Sequence, residues 1–252
     1  MKKIILLLCV SYFVAFISKA QAVNKNLHQA ASKTKKNKEV KALMTGEAII
    51  KKYIAAIGGT SAIAAIKDAD ITGITNVMGK DMYLQQRYIL PNYFMQSITN
   101  NGKIYFKQIT NNGEYQMIIQ GTKQPVDNAT KEELNEEAVL INENYFISNH
   151  YTLVYKGKEN INENETYILG IKSPTGKFQT NYYDVTTGLK VKASQVEESP
   201  TGNITVNTFF KDYKEFNGIK IPTVISIDQG PIKGYKLTDV KINTGLKIEN
   251  IN

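Results

Sequence analysis

Turn signals cut the chain from Ile71 onward into segments of about ten residues, and this spacing constrains the fold more than any other feature. Gly79-Lys80, Pro91, Asn101-Gly102 and Asn111-Asn112-Gly113 separate ITGITNVM, DMYLQQRYIL, YFMQSIT, KIYFKQIT and EYQMIIQ. Asn-Gly pairs favour tight hairpins, so these segments predict an antiparallel meander. Thr130 with Glu133 reads as a capping box that opens a helix running to about Ile141, or on to Ile147. After His150 the strands resume: YTLVYKG, ETYILGIKS, KFQTNYYD, LKVKASQVE, ITVNTFFKDYK, IKIPTVISID, YKLTDVKI and a terminal LKIENI. About a dozen strands are expected, with no internal repeat.

Two short helices precede the meander. Ile50, Tyr53, Ile54 and Ile57 recur at i, i+3, i+4, i+7 within GEAIIKKYIAAI, which gives one apolar stripe. Thr45 is placed to cap its start, Glu47 suits the first turn, and Gly58-Gly59 ends it. Ser61–Ile66 reads as a second, smaller helix. Farther on, Ile219, Ile221, Ile225 and Ile227 share one strand face. Pro222 lies among them and cannot donate to a ladder, so that strand is expected at an edge or with a bulge. Pairs such as Tyr182-Tyr183 and Phe209-Phe210 put an aromatic on each face, as suits a sheet whose second face is half wet.

The N-terminus reads as an export signal. Lys2 and Lys3 precede a mostly apolar run from Ile4 to Ile17, and Ala20-Gln21-Ala22 forms an A-x-A cleavage site. That run is shorter than the roughly 20 residues of a spanning helix. Cys9 follows Leu8, where lipoprotein processing wants a small residue, and a cut there would fall inside the apolar run. The expected divisions are a cleaved signal (1–22), a basic flexible linker (23–43) and one folded domain (44–252). The address is the periplasm, with outer-membrane association or secretion left open.

Charge then excludes a class of partner. Nine of the 31 lysines and arginines, and one of the 23 acids, precede residue 42, which leaves 22 of each sign beyond it. The basic character is a tail, so nucleic acid is not expected as a partner, and membrane contact is at most peripheral through the linker. Loss of Cys9 with the signal leaves no thiol for disulfide, metal or nucleophile.

Reactive motifs are absent as well. His150 is the domain's lone histidine and suits a cap or surface position, and neither G-x-S-x-G nor a P-loop occurs. No cofactor and no metal site are expected. Asp184 in YYDVTTGL fits an Asx-type turn, and Glu132-Glu133 with Glu136-Glu137 beside Lys131 reads as a solvated helix face. A carboxylate hydrolase would need two acids facing one cleft, and no spacing brings a pair together.

EAIIKKYIAAIGGTSAIAAIKD followed by ADITGIT resembles the entry to a group of exported cell-envelope proteins, including domains appended to insulinase-type zinc proteases of Bacteroidetes-like bacteria. NYYDVTTGLKVK, FKDYKEFNGIKIPTVI and VKINTGLKI carry the resemblance through most of 46–248. Such domains resemble the lipoprotein-carrier (LolA/LolB-like) superfamily. The resemblance implies a mainly β (α+β) fold: a strongly curved antiparallel half-barrel of about eleven strands with a few helices on its concave side, where the carriers hold acyl chains.

The expected function is therefore a non-enzymatic binding protein that holds a lipid or lipoprotein acyl chain between sheet and helices. Tyr53, Ile54, Ile57, Phe210, Ile221 and Ile225 are the expected ligand-binding residues. The alternative is a packed interaction module docking on an envelope protease or transporter. A filled core would favour the module, and a cavity of several hundred Å³ the carrier.

Overall fold

The structure, a computed structural model, describes residues 44–199 and 202–250. The expected signal (1–22) and linker (23–43) both lie outside these residues. The chain begins with α1 (Gly46–Ala56) and α2 (Gly59–Ala64). A meander follows: β1 (Asp68–Val77), β2 (Lys80–Ile89), β3 (Tyr93–Asn100), β4 (Lys103–Asn111), β5 (Glu114–Ile119) and β6 (Thr122–Gln124). Helices α3 (Asn128–Glu137) and α4 (Asn142–Ser148) come next. A second meander comprises β7 (Thr152–Ile161), β8 (Asn164–Lys172), β9 (Phe178–Asp184), β10 (Lys190–Ser199), β11 (Gly202–Phe216), β12 (Ile219–Ile227) and β13 (Ile232–Ile242).

All thirteen strands form one open, curved antiparallel sheet, a half-barrel, in the order β6-β5-β4-β3-β2-β1-β13-β12-β11-β10-β9-β8-β7. The first meander grows from β1 to one edge. The chain then passes through α3 and α4 to the opposite edge, and the second meander returns until β13 pairs with β1. This count exceeds the eleven strands implied by the resemblance, partly because β6 is a three-residue extra at one edge.

Helix α1 buries the stripe its spacing announced: Ile50, Tyr53, Ile54 and Ile57 join Ile49 in a core with Leu169, Ile171 and Tyr183 of the sheet. Thr45 Oγ1 accepts from the Ala48 N–H at 3.1 Å. Gly58 has φ +131°, and a Cβ there would lie 2.3 Å from the Gly218 carbonyl oxygen. Only glycine lets this corner seat against the β11–β12 turn, where the Lys220 N–H donates to the Ile57 carbonyl at 2.8 Å. α2 consequently starts at Gly59, two residues before the expected Ser61.

The position of Pro222 follows from the same contact. β12 is interior, yet it pairs with β13 only at Val224, Ile225 and Ser226. Lys220 points its N–H away from β11, so by the strand's two-residue period the missing N–H of Pro222 falls on the unpaired side. Neither an edge strand nor a bulge is needed.

Three sequence expectations are corrected. The cap of α3 is Asp127, whose carboxylate accepts from the Thr130 N–H at 2.8 Å, so the helix begins before the expected Thr130–Glu133 box. Its continuation to Ile147 is broken, because Ile141 is extended (φ −126°, ψ 96°) and α4 starts anew. The terminal LKIENI is not a strand. Asn243 turns the chain at φ +59°, and the Asp68 carboxylate accepts from the Thr244 N–H (2.7 Å), the Thr244 hydroxyl (3.0 Å) and the Gly245 N–H (3.0 Å). β1 and β13 already have neighbours on both sides, so no edge is open there, and Ile248–Asn250 forms a 3₁₀ turn.

Candidate functional site: a half-open cavity under the helices

A half-open cavity of about 250 Å³ lies between the sheet and the α3–α4 segment. Sheet pairing explains which residues reach it, since side chains directly opposite in neighbouring strands share a face. Phe210 pairs with Ile225, and Ile225 with Tyr235, which sets one apolar and aromatic row across β11, β12 and β13. Ile221, Tyr88, Phe94 and Leu140 extend this apolar wall. Tyr53 reaches it from α1. Four of the six expected residues, Tyr53, Phe210, Ile221 and Ile225, thus come together in one wall.

Ile54 and Ile57 do not line the cavity. They sit on the α1 stripe within the filled core. A helical stripe identifies the buried side but not the depth at which each residue ends, and only the longer Tyr53 extends far enough.

The wall is more polar than the sequence suggested. Gln86 on β2 and Gln96 on β3 are cross-strand partners in it, and Gln108 on β4, outside the lining, continues their row. Gln86 Nε2 donates to Gln96 Oε1 at 2.6 Å, and Gln108 Nε2 donates to Glu137 Oε2. On the other half of the sheet, Asn181, Ala193 and Thr208 form a second row, and Gln179, Gln195 and Val206 a third. Each amide sits mid-strand in its own segment, so the rows become visible only once the hairpin registers are known.

Glu143 organises one end. It is 1 % exposed, and its Oε1 accepts from Tyr183 Oη at 3.0 Å and from Lys190 Nζ at 2.8 Å. Lys190 Nζ also lies 4.8 Å from the Phe210 ring centroid, within cation–π range. Burial pushes the Tyr53 and Tyr183 hydroxyls well above the usual tyrosine range, and the Glu143 charge adds to the rise.

The acidic run of α3 overturns its expected reading. Leu134 and Ala138 are buried, so this side of α3 faces inward and the acids do not form a solvated face. Lys177 Nζ donates to Glu133 Oε1 at 2.7 Å, and the Tyr151 hydroxyl donates to Glu136. Burial raises the Glu133 and Glu136 carboxyls, opposed at Glu133 by Lys177 and at Glu136 by the Tyr151 hydrogen bond. Glu137, in the cavity wall, is pushed up to about 8, chiefly by burial against the opposing hydrogen bond from Gln108. A charge run in sequence carries no sign of which helix face meets the sheet.

Asp184 stands apart from the wall. Its Oδ1 accepts from the Thr186 and Thr187 N–H groups at 2.9 and 2.6 Å, closing its own turn as an Asx residue does. The acids gathered in the cavity are Glu137, Glu143 and Glu197. Among the described residues, no group of three or more His, Cys, Asp or Glu is arranged to hold a metal ion. No helix among them is long and apolar enough to cross a membrane.

No protein-family model matches this sequence, and no curated protein matches it. Solved structures do. A DUF1329 family protein from Desulfovibrio piger superposes with a TM-score of 0.58 at 13% identity, covering 82% of this chain and 98% of that one. A LolA superfamily protein from Nitrosomonas europaea gives 0.56 at 12% identity, covering 83% and 98%. A domain named for outer membrane lipoprotein sorting, from Vibrio parahaemolyticus, gives 0.56 at 12%, covering 82% and 96%. At these identities the likeness is one of fold, and the fold is LolA-like. None of the three is described as a protease-linked domain.

Proposed function

We propose that this LolA-like half-barrel is a non-enzymatic binding protein, exported by a cleaved signal at residues 1–22 that a basic linker (23–43) follows, whose domain 44–252 holds a hydrophobic ligand between sheet and helices. A lipid or a lipoprotein acyl chain fits that description. The observation that carries the reading is the 250 Å³ cavity with Tyr53, Phe210, Ile221 and Ile225 in its wall. It lies just under the roughly 300–1,000 Å³ typical of ligand pockets. Its volume suits one short chain, or part of a longer one, with each buried methylene contributing about 0.8 kcal/mol.

Glu137 keeps an unpartnered oxygen in the cavity, but the other acids weighed for chemistry are engaged, which favours binding over catalysis. Glu143 is held by Lys190 and Tyr183, Gln195 donates to Glu197, and Asp184 is occupied by its own turn. The cavity also favours a carrier over a packed docking module, which would have a filled concave side. Native mass spectrometry of protein gently purified from its own envelope fraction tests the reading. Adducts in the mass range of single lipids, lost on collisional activation, are the expected result. A bare polypeptide mass in every preparation would count against it.

A further inference from the structure

The polar atoms of the cavity specify more than an oily ligand. Among the described residues, three buried side-chain atoms lack a hydrogen-bond partner: Gln108 Oε1, Glu137 Oε1 and Asn181 Oδ1. Asn181 and Glu137 line the cavity, and Asn181 is only 2 % exposed. A buried acceptor left unpaired costs free energy that a ligand donor would recover.

The orientation of the Asn181 amide is fixed by its neighbours. Tyr183 has one hydroxyl proton, and it goes to Glu143 Oε1. The 3.2 Å contact between Asn181 and Tyr183 Oη must therefore use an Asn181 N–H, which leaves Oδ1 as the free end. Whatever meets Asn181 Oδ1 has to donate.

Charge narrows the choice further. Three carboxyl groups, those of Glu137, Glu143 and Glu197, line the cavity with two lysines: Lys190, half-buried and already committed to Glu143 and the Phe210 ring, and Lys220, which is exposed to solvent. An anionic headgroup would meet this acid with no uncommitted buried cation. An ammonium would find Glu143 already paired. Burial holds the Glu137 carboxyl near 8, so at neutral pH it is mostly a neutral acid that can donate as well as accept.

A hydroxyl both donates and accepts, and the remaining polar wall matches it. Gln86, Gln96, Gln179 and Gln195 present amides, which also do both, beside the Tyr88 and Phe94 rings. We propose that the polar part of the ligand is an uncharged polyol, such as a sugar or a glycerol, with Asn181 Oδ1 and Glu137 as its anchors and an apolar tail against Phe210, Ile221 and Ile225. This rests on the binding reading given above and adds the headgroup class to it.

The test is displacement of the neutral fluorophore N-phenyl-1-naphthylamine from the full domain by a series of eight-carbon amphiphiles, each below its micelle concentration. The series is octyl glucoside, monooctanoylglycerol, octanoate, octylamine and methyl octanoate. The polyol compounds should displace the probe at concentrations at least about tenfold lower than the other three, the worth of one recovered buried hydrogen bond. The order of glucoside and monooctanoylglycerol distinguishes sugar from glycerol, and either order supports the inference. Asn181→Leu should raise the concentration required of the polyols about tenfold relative to methyl octanoate. Equal potency across the series, preference for octanoate or octylamine, or a uniform effect of Asn181→Leu would overturn the headgroup assignment and leave the cavity as a binding site. Failure of the wild-type protein to take up the fluorophore at all would instead sink the binding reading itself.

Discussion

Replacing Gly234 with alanine is expected to cost about 3–5 kcal/mol of folding stability, measured by urea denaturation. Gly234 has φ +103°, and a Cβ there would lie 2.0 Å from the Ile225 carbonyl oxygen. β13 bulges against β1 at this point, since Thr75 pairs with Tyr235 but Val77 pairs with Ile232. The Thr75 hydroxyl also donates to the Gly234 carbonyl at 2.8 Å, which fixes the strand in place. The clash falls on a short seam inside the sheet, because β12 and β13 are joined at only three residue pairs, one of them Ser226 with Gly234. Strand separation there would part the two halves of the half-barrel and displace Ile225 and Tyr235 from the cavity wall. A loss below about 1 kcal/mol would mean that the seam yields without strain.

The second large effect is a pH profile. Unfolded, the Glu137 carboxyl titrates near 4.5, and folded it titrates near 8. Between those values the folded protein holds a proton that the unfolded chain releases. Stability from this group is therefore complete below about pH 4.5, declines as pH rises, and is gone above about pH 8. Glu133 and Glu136 on α3 are raised in the same direction, and Lys177, Gln108, Tyr88 and Tyr235 are the other groups coupled to Glu137. Glu137→Gln removes the proton while keeping a buried amide. Wild type should lose roughly 2–4 kcal/mol more than this variant between pH 5 and pH 9, in chemical denaturation at fixed ionic strength. Parallel curves would show that Glu137 titrates as an ordinary surface acid.

Much of the scaffold was legible because it depends on local chemistry. Asn-Gly turns and the apolar stripe of α1 act within a few residues, and Asp184 closes a turn formed by its immediate neighbours. The site was legible only in part. Phe210, Ile221 and Ile225 could be assigned to strand faces by period, but separating a cavity residue such as Tyr53 from a core residue such as Ile54 requires knowing how far α1 stands above the sheet. The first glutamine row needed two hairpin registers at once, so Gln86, Gln96 and Gln108 looked like unrelated polar positions. The acids of α3 were misread because the side that a helix buries is set by its neighbours. Asp127 was missed as a cap because Thr130 and Glu133 supplied a more familiar pattern three residues on.

If the cavity under α3 and α4 is a ligand site, filling it will weaken binding. Ala193 lies in the wall on β10, directly across from Asn181. A tryptophan there would project its indole into the 250 Å³ space with no polar group displaced. Uptake of N-phenyl-1-naphthylamine should saturate for the wild-type domain and weaken at least about tenfold in Ala193→Trp, while the melting temperature stays within a few degrees. Equal uptake by both proteins would show that the probe binds somewhere other than this cavity and that the cavity is not the ligand site.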